Sequence, residues 1–358
     1  VGLGNIWGFP NKMGANGGFT FLILYLVLAV FCGVIVMIGE LALGRKTGHG
    51  AIGAYRILSK KFKWLGWMGV LSAFLILGFY CALGGYCLKY VTLNVGNLFH
   101  AGFGTGTLDG AGVFDALMAN QGECVIYGLL FVAITMIIVM GGVGGGIEKV
   151  CSVGMPALFV MLVICIIRSC TLEGASEGLK YMFVPGWALA NGVIKEAPDF
   201  FSVVSTAGGQ MFFSLSLGMA AMITYGSYLD KKENLQKNAI IIVVMDTLVA
   251  LMAGLCVIPG RFALDPTGNL GGPSLLFVTM QNVFDRMGSV GPIFGIMFYL
   301  LVVFAAISSS ISLLEAVVAH FVDKAREQGK GDKRKLYSVL AGIAAGILCV
   351  IVCLDSLG

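Results

Sequence analysis

Residues 200–229 read FFSVVSTAGGQMFFSLSLGMAAMITYGSYL, a run without Asp, Glu, Lys or Arg. It is long enough to cross a bilayer, which needs about 20 apolar residues per helix. At its centre, however, Ser214, Ser216 and Gly218 alternate with Leu215 and Leu217. A period of two fits extended backbone better than helix. Other charge-free runs surround it: Met13–Gly39, Leu65–Leu88, Cys124–Ile147, Val150–Ile167, Met287–Leu314 and Leu336–Leu354. A further run, Ala239–Pro259, is broken only by Asp246, and a short apolar remnant, Val1–Phe9, precedes them all. Backbone groups find no water in lipid, so each run is expected to be helical.

Composition agrees with this pattern. Of 358 residues, 58% are hydrophobic and 12% charged, and the mean hydropathy is +0.92. A soluble domain is about 45–50% apolar and about 25% charged. A soluble globule, a disordered chain, collagen and a coiled coil are excluded. The net charge of +4 gives no reason to expect nucleic acid as a partner. The chain starts at Val1 with no charged segment ahead of an apolar one, so no signal peptide is visible. It is read as beginning inside a structural element. The ten cysteines contain no CxxC pair, and most are expected to pack as small apolar side chains.

Basic residues alternate between loops. The segments 45–63, 141–149, 227–238 and 322–335 carry six, one, three and six of the 23 Lys and Arg. The positive-inside rule makes them cytoplasmic, in a plasma (inner) membrane. No P-loop, HExxH motif or Ser/His/Asp arrangement is present, and no enzyme is expected. The glycine run Gly141–Gly146 lacks the Lys-Ser/Thr of a phosphate cradle and reads as a flexible turn.

Four places carry chemistry. Val1-Gly2-Leu3-Gly4-Asn5-Ile6-Trp7-Gly8-Phe9-Pro10 sets glycines beside an Asn. It reads either as backbone opened toward a carboxylate at a helix start or as a glycine-rich packing face. Residues 214–218 are either an extended stretch or a helix whose serines bond back to its own backbone. Ser308-Ser309-Ser310 is either helix packing or a set of hard oxygen ligands. Asp246 lies mid-span, where a charge costs about 2.5–3.5 kcal/mol, so it is a functional candidate with a cation as its natural partner. Glu40 and Glu315 lie nearer helix ends and suit hydrogen bonding or gating.

These stretches, with NGGFTFLILY (16–25), GELALGR (39–45), GHG (48–50), GIEKVCSVGMPALF (146–159), GQMFFSLSLGM (209–219) and AAISSSISLLE (305–315), resemble the neurotransmitter:sodium symporter family in its bacterial amino-acid-transporter branch. The resemblance implies an all-α polytopic membrane protein with an inverted-repeat symporter fold, whose first and sixth helices are broken at mid-membrane. It implies one transporter domain over 1–358, with a first repeat in 1–169 and a partial second repeat in 199–358. The chain would hold the second half of helix 1 through helix 9. Breaks are expected at Val1–Asn5 and Ser214–Gly218.

Carried onto this chain, the resemblance assigns the substrate carboxylate to the Leu3 and Gly4 amides and the Tyr80 hydroxyl. Asn5, Ser214 and Asp246 would form a first sodium site, with the substrate carboxylate as a further ligand. The Val1 and Ala305 carbonyls with the Ser308 and Ser309 hydroxyls would form a second. Ile76, Phe213, Ser216, Met219, Ser309 and Leu313 would line the side-chain pocket. Gly2 stands where amine-transporting members carry Asp, which favours an amino acid, hydrophobic or aromatic given Met219 and Leu313. Asp246 stands where many members have Asn, and Ala250 where chloride-dependent members have Ser, so chloride independence is expected. Gly146 and Pro156 match a spacing associated with unwinding of helix 5. Gly8 replaces the arginine of the outer gate, so a salt-bridge gate is not carried over. The expected activity is alternating-access symport of amino acid with two sodium ions. A proton-coupled transporter of the same fold and a transport-inactive substrate sensor are the alternatives.

Overall fold

A computed structural model describes residues 2–265, 272, 274–330 and 333–355. The described residues form helices joined by turns and loops, without strands. A π-turn, Gly4–Gly8, runs into α1 (Phe9–Ala15). The first long span is α2 (Phe19–Thr47), and a short surface helix, α3 (Ala51–Leu58), leads to α4 (Lys63–Leu98). After α5 (Gly110–Ala119) come α6 (Gln121–Met140) and α7 (Val143–Cys170). Two short helices, α8 (Ala175–Phe183) and α9 (Trp187–Ala190), lead to the pair α10 (Phe200–Ser214) and α11 (Ala221–Tyr228). The chain continues through α12 (Leu235–Leu264), α13 (Met280–Asp285), α14 (Gly291–Glu327) and α15 (Arg334–Leu354).

Seven of these helices are long and apolar enough to cross a membrane. The run 200–229 is not among them, because it is split. Leu215–Ala220 leave the helical path, and Ser216, Gly218 and Ala220 take left-handed φ values of 55°, 77° and 65°. The interruption thus lies slightly beyond the expected Ser214–Gly218, and Ser214 is the last residue of the helix before it.

Two expectations about the backbone are corrected. Helix begins at Leu3, so of the expected unwound Val1–Asn5 only Gly2 is described as non-helical, and Val1 lies outside the described residues. The glycine run is not all turn. Gly142 has φ 75°, but Val143–Glu148 form a π-turn continuous with α7, and Pro156 sits inside that helix. Three consecutive glycines follow helix once a long apolar segment propagates back through them, since loss of propensity is only about 1 kcal/mol each.

The buried residues form two apolar clusters. One joins α4, α6 and α14 with parts of α7, α12 and α15, around Tyr86, Phe131, Phe277 and Tyr299. The other joins α1, α2, α10 and part of α12, around Phe9, Phe21, Tyr25 and Met211. Leu3 and Met219 belong to the first, Met13 and Leu217 to the second. The start of helix 1 and the split in helix 6 therefore meet at the seam between the clusters. All ten cysteines are free thiols.

Candidate transport site

Gly2 is the residue on which the site turns. A Cβ there would overlap Ser309 Oγ and lie 3.5 Å from the Ala305 carbonyl oxygen. Absence of a side chain lets helix 1 touch α14 through backbone. Gly4 approaches the split helix in the same way, with a Cβ position 3.3 Å from the Ser214 Cα. The Leu3 and Gly4 amides lie in the first turn, where N–H groups have no intrahelical carbonyl to bond.

Asn5 ties the start of helix 1 to α12. Its Oδ1 accepts from the Gly2 amide at 2.8 Å, and its Nδ2 donates to the Asp246 carbonyl at 2.9 Å. The Ser214 hydroxyl donates to Asp246 Oδ2 at 2.7 Å. Asn5 is fully buried, Asp246 4% exposed and Ser214 9% exposed, so the expected first-site triad is assembled in the interior. A carboxylate taken out of water needs a hydrogen-bonded or cationic partner. The Ser214 hydroxyl is one such partner, and the Ser214 oxygen keeps lone pairs of its own.

The hydroxyl cluster on α14 divides. Ser308 Oγ donates to the Ala305 carbonyl at 2.9 Å, and Ser309 faces Gly2. Ser310, by contrast, turns away and meets the Thr135 hydroxyl on α6 at 2.9 Å. Packing against α6 thus accounts for Ser310, while Ser308 and Ser309 line a cavity. A cavity of about 310 Å³ is lined by Ser214, Ser216, Asp246, Ser308 and Ser309, with Tyr225 of α11 at its side.

Tyr80, buried on α4, interacts with the Ser309 side chain and the Gly4 backbone, and its ring lies 5.9 Å from that of Phe213. Leu313 and Met219 are buried in the same apolar cluster, and Ile76 and Phe213 pack against it. Polar atoms and apolar walls therefore share one seam. The donors are oxygens of carboxylate, amide, carbonyl and hydroxyl, a set that suits a hard cation. Among the described residues no group of three or more His, Cys, Asp or Glu could hold a transition metal.

Two residues without an assigned role, Gln210 and Tyr25, also reach this seam, as does Glu40. Gln210, fully buried, donates from Nε2 to the Gly4 carbonyl at 2.7 Å. It stands four residues before Ser214, on the same helix face, which is the signal that could have singled it out. The Tyr25 hydroxyl interacts with Ser214 and Thr247. Glu40 Oε1 accepts from the Gly218 amide at 2.7 Å, inside the split. Glu315, fully buried, accepts from the Tyr228 hydroxyl and from Arg334 Nη1, the latter at 2.7 Å. On the opposite end of helix 1, Trp7 Nε1 donates to the Gly272 carbonyl at 3.1 Å, and Asn11 Oδ1 accepts from the Gly272 amide at 2.7 Å.

Residues 1–98 and 115–358 match the profile of the sodium:neurotransmitter symporter family. The chain belongs to that family. A Bacillus subtilis protein named as a sodium-dependent transporter, YhdH, is 35% identical over 99% of this chain and 75% of its own length. A Haemophilus influenzae sodium-dependent transporter is 33% identical over 91% of this chain and 71% of its own length. A crystal structure of MhsT in complex with L-phenylalanine superposes with a TM-score of 0.86 at 37% identity, covering 99% of this chain and 77% of that one. The symporter thus has the all-helical fold expected of it, and it is a membrane transporter.

Proposed function

We propose that this symporter couples inward sodium movement to uptake of a hydrophobic or aromatic L-amino acid across the plasma membrane, with loops 45–63, 141–149, 227–238 and 322–335 on the cytoplasmic side. The observation that carries the proposal is the convergence of Asn5, Ser214 and Asp246 beside the first-turn amides of Leu3 and Gly4. The MhsT structure with L-phenylalanine and relatives named sodium-dependent transporters support it.

In this reading the amides of Leu3 and Gly4 and the Tyr80 hydroxyl hold the substrate carboxylate. One sodium ion sits among Asn5, Ser214, Asp246 and that carboxylate. A second sits among Ala305, Ser308, Ser309 and Val1, the last outside the described residues. The side chain lies among Ile76, Phe213, Ser216, Met219, Ser309 and Leu313. Asp246 supplies negative charge beside the first ion, so chloride is not required. Because ion and substrate each complete the other's coordination, each raises the other's affinity by the same factor.

The test is uptake of labelled L-phenylalanine and L-leucine into proteoliposomes at fixed pH. An inward sodium gradient should give accumulation several-fold above choline, and replacing chloride by gluconate should change nothing. Uptake driven by a proton gradient without sodium would instead support proton coupling. Equilibrium binding without uptake would support a sensor.

A further inference from the structure

At one end of the molecule, the C-terminal end of α6 and the start of α15 border a cavity of about 600 Å³. Gly141, Gly142, Lys333, Arg334, Lys335 and Leu336 line it, with Met140 at its inner edge. On the proposed orientation this is the cytoplasmic membrane surface. Arg334 is held by Glu315 at 2.7 Å, whereas Lys333 and Lys335 are exposed. Glu148 is the other acid in the neighbouring π-turn, and Asp332 adjoins in sequence but lies outside the described residues. The amide end of α15 opens on the same space and adds positive potential.

A second cavity, of about 450 Å³ and almost wholly apolar, lies between the same two helices nearer mid-membrane. Leu129, Ala133, Met136, Ile343, Gly346 and Ile347 line it. Gly342 packs closely, since a Cβ there would lie 2.7 Å from Met136 Sδ, while a Cβ at Gly346 would lie 3.4 Å from Leu129 Cδ2, in ordinary contact. At about 1.5 Å of rise per residue, Gly342 to Ile347 lie roughly 9–17 Å below Leu336, the depth of one leaflet's hydrocarbon.

We propose that these two cavities are one binding site for an anionic glycerophospholipid of the inner leaflet. The headgroup phosphate sits between Lys333, Lys335 and the Gly141–Gly142 backbone, and an acyl chain lies in the groove along Met136, Ile343 and Ile347. Charge complementarity selects the headgroup, since basic residues at a membrane surface each favour anionic lipid appreciably. The apolar groove directly beneath selects a lipid over a soluble phosphate. Leaflet assignment rests on the proposed orientation, but binding to the purified protein does not depend on it.

The experiment is native mass spectrometry of the full chain in detergent, titrated with dioleoylphosphatidylglycerol, with dioleoylphosphatidylcholine and inorganic phosphate as separate arms. One phosphatidylglycerol should be retained with several-fold preference over phosphatidylcholine. K333Q/K335Q should weaken retention by about 25-fold, about fivefold per lysine, and Ala133→Phe should weaken it by filling the groove without touching the charge. Unchanged sodium-dependent substrate binding in both variants shows that they are folded. Equal retention of the two lipids, retention unaffected by K333Q/K335Q, or binding of inorganic phosphate with the same affinity would overturn the proposal. So would a variant that changes the dimer fraction and leaves lipid retention alone, because the groove would then be a contact between copies.

Discussion

Gly2 decides more than its charge. As a sequence position it suggests that an acidic side chain there would repel a substrate carboxylate. In the structure even a methyl group would overlap Ser309 Oγ. Ser309 would have to rotate away from Tyr80, and helix 1 would lose its backbone approach to Ala305. A lost buried hydrogen bond costs about 1–3 kcal/mol. Gly2→Ala should therefore weaken L-phenylalanine binding by about tenfold or more at saturating sodium, measured by scintillation proximity on purified protein. Gly2→Asp should weaken it further, and the difference between the two variants isolates the charge. Wild-type affinity in Gly2→Ala would show that helix 1 and α14 do not touch here in the binding state. The contact itself was not legible in the sequence, because a 300-residue separation between Gly2 and Ser309 leaves no local pattern. Asn5, Ser214 and Asp246 were legible, each as a polar group stranded in an apolar run.

The split between α10 and α11 is an element under strain. Non-glycine residues in left-handed conformation cost roughly 1–2 kcal/mol each, and Ser216 and Ala220 are two of them. Something must hold the backbone open, and Glu40 does so by accepting from the Gly218 amide across from α2. Glu40→Ala should cost about 1–2 kcal/mol, seen as a lower Tm in detergent and a lower uptake rate. Glu40→Gln retains an acceptor and should recover most of both. An unaltered Tm in Glu40→Ala would mean that neighbouring packing alone holds the split. The interruption was readable from the Ser/Leu alternation, but its exact limits were not. Only Gly218 announces a left-handed position, while Ser216 and Ala220 adopt one because tertiary contacts override their preference. The opposite error arose at Gly144–Gly146, where glycine suggested a turn and helix continued.

At the scale of the whole molecule, composition and charge alternation specified a membrane protein, because no other solvent accepts so much apolar surface. Which helices form which cluster was not legible, since lipid-facing and protein-facing apolar residues look alike in sequence. That partition matters, because it places the proposed ion ligands on both sides of a seam. Asn5 stands on helix 1, Ser214 on α10, Asp246 on α12, and Ser308 and Ser309 on α14. The two proposed sodium ions would between them link all four elements, and none of the four holds a complete site alone. Such an ion binds the folded state and not the unfolded one, so it stabilises by about 2.7 kcal/mol at 100 times its Kd. Replacing choline by sodium at constant ionic strength should raise Tm by about 5 °C or more, with potassium ineffective. Asp246→Ala should remove much of that shift, because the buried triad loses its only formal negative charge, while the site around Ser308 and Ser309 retains the remainder. Equal Tm values in sodium, potassium and choline would leave the oxygens at the seam as hydrogen-bonding groups alone, and the transporter would have to draw its driving force from another gradient.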